Sequence, residues 1–142
     1  MSSGIEEPID AGHRIVVGVD GSKNANRALE WAAAQAERTG AVLEIHAACG
    51  AGYVLFPPSE VEEATRGLVE SAAKQARHVA PQVDTRAVTD KGPPAPALIE
   101  ASNGADLLVV GSRGLGGFRG LLLGSVSQQC SAHARCPVVV VQ

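Results

Sequence analysis

Aromatic residues are scarce in this chain of 142 residues, which contains two phenylalanines, one tyrosine and one tryptophan. Its apolar residues are mostly alanine, valine and leucine, and 16 residues are glycine. This composition argues against a β-sandwich with an aromatic core and favours closely packed α/β layers that are lined by alanine. The length is that of a single domain whose core is large enough to stabilise it.

An excess of basic residues is also missing, since 12 lysines and arginines stand against 15 aspartates and glutamates, for a net charge of -3. This balance gives no electrostatic support for nucleic acid or an anionic membrane as a partner. No apolar stretch reaches the roughly 18–20 residues of a membrane-spanning helix. Residues 1–12 are acidic and have no signal-peptide pattern. We therefore expect a flexible leader at 1–12, one domain over 13–142 and a cytoplasmic protein.

Cysteine is rare and unpaired in number. Cys49, Cys130 and Cys136 are the only three, and their separations do not match metal-ligand spacing. This pattern is typical of reduced thiols in a cytosolic protein, with a disulfide or redox role as the alternative.

Short β-branched runs alternate with helical patterns along the chain. The predicted strands are residues 13–19, 41–48, 82–89, 105–110 and 137–141. Helices are predicted between them, at about 22–40, 59–79, 92–103 and 125–134. This alternation predicts a mostly parallel sheet with helices on both faces. Ligands of such sheets bind beyond the carboxyl ends of the strands, where the winding reverses.

Two of the predicted helices carry specific end signals. The turn Asp20–Ser22 caps the first helix and Gly40 ends it. In the second helix, Ser59 and Glu62 have the spacing of a capping box. The inward face predicted for the first helix is Ala25, Ala28, Leu29, Ala32, Ala33 and Ala36. The inward face predicted for the second is Val61, Ala64, Leu68, Ala72, Ala76 and Val79.

Glycine is concentrated in residues 111–125, which connect the fourth predicted strand to a helix. Glycine allows close backbone approach to a ligand, and a helix N-terminus attracts anions. Arg113 and Arg119 add positive charge within the same stretch. These features predict that the stretch binds a phosphate chain.

Two common phosphate-binding motifs are excluded. A P-loop requires a lysine directly before its serine or threonine, and Ser125 has none. A dinucleotide fingerprint requires a third glycine where this chain has Arg119, and it follows the first strand rather than the fourth. The turn Asp20–Ser22 after the first strand is too short to hold a pyrophosphate.

The spacing Gly111-x2-Gly114-x9-Gly124-Ser125 resembles that of the ATP-binding universal stress proteins. The segments that resemble this family are residues 15–22, 92–95, 105–114, 123–126 and 136–140. The resemblance implies an adenine nucleotide alpha hydrolase-like fold with three α/β/α layers and a five-stranded parallel sheet of order 3-2-1-4-5. It also implies a homodimer paired through the last strands. In that order Asp20 and Gly111 border one crevice.

The resemblance also implies which residues surround the base and the ribose. Gly18, Val19 and Asp20 are expected beside adenine and ribose, and Ala47 is expected to present its backbone to the adenine edge. Asp20 is expected to hydrogen-bond the nucleotide or to help hold a phosphate-bound Mg²⁺. The alternative is that Asp20 only shapes its turn. His46, in the same predicted strand as Ala47, is interpreted as a hydrogen-bonded core histidine rather than a catalyst.

At the phosphate end the resemblance places Gly111 and Gly114 beneath the ribose and phosphates. Gly124, Ser125 and Val126 are expected to offer N–H groups at a helix N-terminus, with a plain N-cap role as the alternative for Ser125. Arg113 and Ser112 complete the expected cofactor-binding set; Arg113 neutralises charge or is a solvated loop residue.

No general base for nucleotide hydrolysis is recognisable, so we assign no catalytic residue and expect at most slow ATP hydrolysis or autophosphorylation, with Ser112 or Ser125 as the acceptor. The interpretation is a cytosolic, ATP-binding universal stress protein that acts in regulation, with ATP and Mg²⁺ as cofactors. The alternatives are cyclic AMP as the ligand, an ATP-cleaving alpha hydrolase, and an interaction module that binds no nucleotide.

Overall fold

The computed structural model describes residues 13–50, 55–115 and 123–142. The predicted leader, residues 1–12, lies outside these ranges, and so does Arg119. Strands and helices alternate along the described residues, as the sequence pattern predicts. The elements are β1 (Arg14–Gly18), α1 (Lys23–Thr39), β2 (Val42–Ala48), α2 (Pro58–Val79), β3 (Thr85–Asp90), α3 (Pro94–Ala101), β4 (Leu107–Gly111), α4 (Ser125–His133) and β5 (Val138–Val141).

The five strands form one parallel sheet of order β3-β2-β1-β4-β5, which confirms the predicted fold class. Val17 of β1 pairs with Ile45 of β2 on one side and with Val109 of β4 on the other. The winding therefore reverses between β1 and β4. This arrangement creates a crevice at the carboxyl ends of these two central strands.

Side chains of the central strands enter two separate apolar layers. Ile15 and Val17 pack with residues of α1 and α2, whereas Val16 packs on the opposite face with Leu98 of α3 and Cys130 of α4. Successive strand residues point to opposite faces. Burial on both faces explains why β1 reads as a continuous apolar run.

The predictions for α1 are confirmed in detail. All six predicted inward residues are buried. The Ser22 hydroxyl accepts a hydrogen bond from Ala25 N at 3.1 Å and caps the helix. Gly40 ends the helix with a φ of 76°, the left-handed conformation that glycine adopts without steric cost.

The capping box predicted for α2 is wrong. The helix begins at Pro58, Pro57 occupies the N-cap position, and no side chain caps it, so Ser59 lies inside the first turn. The predicted face is also rotated, since the buried residues are Val61, Thr65, Val69, Ala72, Ala73 and Ala76. Thr65 is buried at low cost because its hydroxyl donates to the Val61 carbonyl at 2.8 Å. Ala64 and Val79 are exposed instead.

The third strand begins at Thr85 rather than at residue 82, because residues 81–83 form a turn after α2. It lies at the edge of the sheet, as its polar composition predicted.

Cys49, Cys130 and Cys136 are free thiols, and Cys130 is fully buried, which raises its pKa to about 11. None of the described helices is long and apolar enough to cross a membrane.

Candidate functional site

A cavity of about 300 Å³ opens at the carboxyl ends of the strands, where the winding reverses. The turn after β1, the ends of β2 and β3, helix α3, the loop after β4 and the start of α4 all contribute to it. Its lining residues are Gly18, Val19, Asp20, Ala25, His46, Ala48, Asp90, Pro94, Leu98, Val110, Gly111, Arg113, Gly114, Leu115, Gly124, Ser125, Val126 and Ser127.

Most of the predicted site residues lie together in this lining. They are Gly18, Val19, Asp20, Gly111, Arg113, Gly114, Gly124, Ser125 and Val126. Ala47 does not line the cavity, because its side chain enters the α1/α2 core and is 1% exposed. Since side chains alternate along a strand, its neighbours His46 and Ala48 reach the cavity instead.

Ser112 is the second predicted residue outside the lining, and it joins the elements around the site. Its hydroxyl accepts a hydrogen bond from Asn24 Nδ2 at 2.9 Å. Its carbonyl accepts from Gly124 N at 2.6 Å and from the Ser127 hydroxyl at 2.9 Å. Its N–H donates to the Val141 carbonyl at 2.7 Å. Ser112 thereby ties the end of β4 to α1, α4 and β5, and its burial argues against its hydroxyl as a phosphate acceptor.

Asp20 links the two turns that border the crevice. Its Oδ1 accepts a hydrogen bond from Ser22 N at 2.9 Å, and its Oδ2 accepts from Leu115 N at 3.0 Å. A Cβ atom at position 114 would collide with Asp20 Oδ2. Asp20 therefore shapes its own turn and also anchors the glycine loop; a contact with a ligand stays a prediction.

The other two motif glycines also lie against backbone, and the contact at Gly111 is the closer of the two. A Cβ atom at Gly111 would lie 2.8 Å from Asn24 C and 2.9 Å from Ala25 N, both in the backbone of α1. A Cβ atom at Gly124 would lie 3.3 Å from Arg113 Cα. The spacing of these glycines thus brings the loop and the starts of α1 and α4 into contact around one end of the cavity.

Helix α4 points its N-terminus into the cavity. Gly124 is the N-cap residue and no side chain caps the helix, so the predicted alternative of an N-cap role for Ser125 is wrong. Ser125 is the first helical residue, and its hydroxyl accepts a hydrogen bond from Gln129 Nε2 at 3.0 Å. N–H groups in the first turn of a helix have no partner within that helix, and the helix dipole makes them attractive to anions.

The opposite end of the cavity contains a buried ionic group. His46 is 6% exposed, and its Nδ1 lies 2.7 Å from Asp90 Oδ2 while its Nε2 lies 2.8 Å from Glu44 Oε1. Burial alone would lower the pKa of His46, but the hydrogen bonds and negative charges of Asp90 and Glu44 outweigh it and raise that pKa above 6.5. The prediction of a hydrogen-bonded core histidine is confirmed, although the ring also borders the cavity.

Several lining residues were missed from the sequence. Asp90 ends β3, and the rule that ligands bind at the carboxyl ends of parallel strands could have identified it. The predicted strand stopped one residue earlier, at Thr89. Pro94 and Leu98 carry no signal beyond that of an ordinary helix, so only the packing of α3 over the sheet brings them to the cavity.

No group of three or more His, Cys, Asp or Glu side chains within the described ranges is arranged to hold a metal ion. The lining of the cavity has features that are common in small-molecule sites. It combines an anion-attracting helix N-terminus, a glycine loop and an apolar wall with a few fixed polar groups.

The sequence model of the universal stress protein family matches residues 12–142. The chain belongs to this family. A universal stress protein of Thermus aquaticus is 40% identical over 136 residues, which cover 90% of this chain and 97% of that relative. A universal stress protein of Mycobacterium tuberculosis is 32% identical over 140 residues, which cover 91% of this chain but only 48% of the relative. The chain thus spans about half the length of the mycobacterial relative.

Solved structures of universal stress proteins share this fold. One from Lactobacillus plantarum has a TM-score of 0.76 at 24% identity, with 92% of this chain and 97% of that chain covered. A universal stress protein in complex with cAMP has a TM-score of 0.75 at 29% identity, with the same coverage of 92% and 97%. A complex of the Archaeoglobus fulgidus protein with dAMP has a TM-score of 0.67 at 22% identity, with 92% of this chain and 98% of that chain covered.

Proposed function

We propose that this universal stress protein binds ATP together with Mg²⁺ in the cavity beside α4, and that the bound nucleotide regulates its contact with a partner in the cytosol. The observation that carries the proposal is that all three motif glycines line the cavity into which α4 points its N-terminus. The proposal also places the chain in the ATP-binding subclass, which has the spacing Gly111-x2-Gly114-x9-Gly124-Ser125. It further takes residues 13–142 as one domain.

The phosphate end of the proposed site is formed by backbone. The first turn of α4 supplies N–H groups and the positive end of its dipole, and the exposed Arg113 lines the same end. Together with a Mg²⁺ ion that would offset the Asp20 carboxylate, these groups offer more positive charge than the single negative charge of a cyclic phosphodiester requires. This surplus favours a linear polyphosphate over cyclic AMP.

The base end of the proposed site is mainly apolar. Leu98, Pro94 and Val19 form walls there, and Leu98 is 4% exposed. The volume of about 300 Å³ lies at the lower limit of small-molecule sites, which span roughly 300–1,000 Å³. A cavity of this size encloses a nucleobase and ribose and leaves the phosphates at its mouth.

Asp20 is the carboxylate beside the phosphate end, and oxygen ligands suit Mg²⁺. Asp20 would hold Mg²⁺, and the ion would neutralise phosphate charge. Both Asp20 oxygens already accept backbone hydrogen bonds, from Ser22 and Leu115. Those bonds hold the carboxylate in place.

Adenine nucleotides in two structural neighbours support the ligand class. The neighbour with 29% identity was solved with cAMP. The archaeal neighbour solved with dAMP is 22% identical. We extend the class to ATP because of the phosphate end described above.

Rapid hydrolysis is not part of the proposed function. His46 lines the cavity, but each of its ring nitrogens faces a carboxylate oxygen within 2.8 Å. A nitrogen engaged in this way cannot accept a proton from water. Slow turnover or phosphorylation at Ser125 is compatible with the geometry, whereas Ser112 is buried.

The proposed dimer pairs through β5. This strand lies at the edge of the sheet, and its residues Val138–Val141 are all only half-buried in the single chain. An exposed apolar edge strand favours pairing with another strand. Sedimentation equilibrium tests the proposal, and a monomer at micromolar concentration contradicts it.

Calorimetric titration with Mg-ATP and with cyclic AMP tests the nucleotide proposal, using the variant Ser125→Asp. A new carboxylate at the N-terminus of α4 repels phosphate, and we expect ATP affinity to fall at least roughly tenfold, or ~1.4 kcal/mol. The same charge favours the helix dipole by ~0.3–1 kcal/mol, so the fold is not weakened. Ser59→Asp is the matched control, because Ser59 lies in the first turn of α2 outside the cavity lining.

Each outcome of this titration has a distinct meaning. Binding of ATP that is lost in Ser125→Asp and retained in Ser59→Asp supports the proposal. If the unmodified protein binds cyclic AMP much more tightly than ATP, the ligand is cyclic AMP rather than ATP. If the unmodified protein binds no adenine nucleotide, the nucleotide function is overturned. The remaining hypothesis is then an interaction module that binds no nucleotide.

A further inference from the structure

A chain of ionic contacts runs beneath α3 and ends at the cavity. Arg14 Nη1 donates to the Ala101 carbonyl at 3.0 Å and to Glu44 Oε1 at 3.1 Å. His46 bridges Glu44 and Asp90 at 2.8 and 2.7 Å. The network therefore connects the C-terminal end of α3 to Asp90, which lies just before the N-terminal end of the same helix.

The protonation state of this network follows from its geometry. Each ring nitrogen of His46 lies within 2.8 Å of a carboxylate oxygen, and an ionised carboxylate only accepts hydrogen bonds. While His46 is protonated, both ring nitrogens therefore donate, one to each carboxylate. His46 acts as a fixed double donor, and its bond to Asp90 determines the orientation of that carboxylate.

One oxygen of Asp90 remains available for a ligand. Asp90 lines the cavity, and its Oδ2 is occupied by His46. Among the described residues no group hydrogen-bonds the other oxygen, Oδ1. The side chain is 19% exposed, so Oδ1 is a partly desolvated acceptor. An acceptor of this kind gains a strong bond from an N–H group and disfavours an apolar or accepting group.

The position of Asp90 corresponds to the base end of a bound nucleotide. Along the carboxyl edge of the sheet the order is β3, β2, β1 and β4, with Asp90 at the end of β3 and Gly111 at the end of β4. With the phosphates at the β4 end, beside α4, the base extends towards β2 and β3. Beside the apolar walls Pro94 and Leu98, Asp90 and His46 supply polar side chains in this part of the described lining.

We infer that Asp90, oriented by His46, selects the nucleobase by accepting a hydrogen bond from an exocyclic amino group such as that of adenine. This inference rests on the proposed nucleotide function and adds the residue that determines base specificity. Asp90 contacts the ligand in this proposal and His46 is a positioning residue, whereas the charge of Glu44 takes no part, because a glutamine oxygen at position 44 still accepts from His46 Nε2.

The test compares the affinities of ATP and of purine riboside triphosphate, which differs from ATP in lacking the 6-amino group. We expect the unmodified protein to prefer ATP at least roughly tenfold, the effect of one hydrogen bond to a charged acceptor. In Asp90→Asn the side-chain oxygen accepts from His46 and the amide NH₂ faces the base. Since a donor then faces the amino group, we expect the preference for ATP to fall to about one.

Glu44→Gln is the matched control. It removes one carboxylate charge from the other ring nitrogen of His46, and Glu44 does not line the nucleotide cavity. Glu44 and Asp90 have the same side-chain exposure of 19%. We expect Glu44→Gln to retain the preference for ATP. Binding of purine riboside triphosphate, which does not need the amino group, shows that each variant keeps a folded site.

The outcomes separate this inference from the function on which it rests. Equal affinity of the unmodified protein for both triphosphates, or an unchanged preference in Asp90→Asn, overturns the role of Asp90 and leaves ATP binding intact. If Glu44→Gln loses the preference for ATP as Asp90→Asn does, direct contact between Asp90 and the base is overturned. Failure of the unmodified protein to bind either triphosphate overturns the proposed ATP binding and this inference together.

Discussion

The carboxylate of Asp20 occupies the space that a side chain at Gly114 would need. These residues follow different strands, β1 and β4, and meet across the crevice where the sheet reverses its winding. Asp20 Oδ2 accepts a hydrogen bond from Leu115 N at 3.0 Å, so the loop is held at the same point. The absence of a side chain at position 114 therefore matters for the fold before any ligand binds.

Gly114→Ala is expected to destabilise the protein by ~1–3 kcal/mol, because its Cβ collides with the Asp20 carboxylate and displaces the loop. In an Asp20→Ala background the carboxylate is gone, and the same substitution is expected to cost much less. Urea denaturation of the two single variants and the double variant measures this coupling. Strictly additive costs would contradict the contact.

Gly111→Ala is expected to cost a similar ~1–3 kcal/mol, because its Cβ meets backbone atoms of α1 that cannot rotate away. Gly67→Ala is the matched control. A Cβ atom there has no neighbour within 4 Å, and Gly67 lies inside α2. Since alanine favours a helix, Gly67→Ala is expected to stabilise the protein by ~0.5–1 kcal/mol. Thermal or urea unfolding measures whether each substitution stabilises or destabilises the protein. Stabilisation by Gly111→Ala would contradict the close contact with α1.

The close contacts at the motif glycines affect which variants are suitable for binding studies. Valine at position 114 or 124 also meets Asp20 or the Arg113 backbone, so lost binding there does not distinguish a lost phosphate contact from a disturbed loop. Ser125→Asp avoids this ambiguity because Ser125 is exposed.

The His46 network predicts a pH dependence of stability. The pKa of His46 is raised above 6.5 in the folded protein, so its stabilisation is complete below the unfolded pKa and is lost as the pH rises through the folded pKa. The charged groups that face it are Glu44 and Asp90. Lys91 and Glu100 line a second cavity that His46 also borders.

Urea unfolding of the unmodified protein and of His46→Gln between pH 6 and pH 8.5 measures this effect. The stability advantage of the unmodified protein is expected to shrink towards the upper end of this range. The buried Cys130 thiol, whose pKa burial raises to about 11, is present in both proteins, so its contribution cancels in the comparison. An advantage that grows with pH would refute the ionic assignment of His46.

Helix α1 shows how much of the fold can be predicted from local sequence. Its alanine spacing, the Ser22 cap and Gly40 all describe contacts within a few residues, and all are confirmed. Helix α2 shows the limit of the same method. Its apolar positions fit two neighbouring stripes, and only packing against β2, β3 and α1 selects the stripe that contains Thr65 and Val69.

The sequence by itself determined the alternation of strands and helices, the family and the positions of the motif glycines, because periodicity and motif spacing are properties of the linear chain. The tertiary structure decided which side chains share the cavity. Strand order and register bring Asp90 and His46 from two strands to the end of the cavity away from α4, while strand alternation turns Ala47 into the core. Such convergence depends on contacts between residues far apart in the chain, for which local patterns contain no signal.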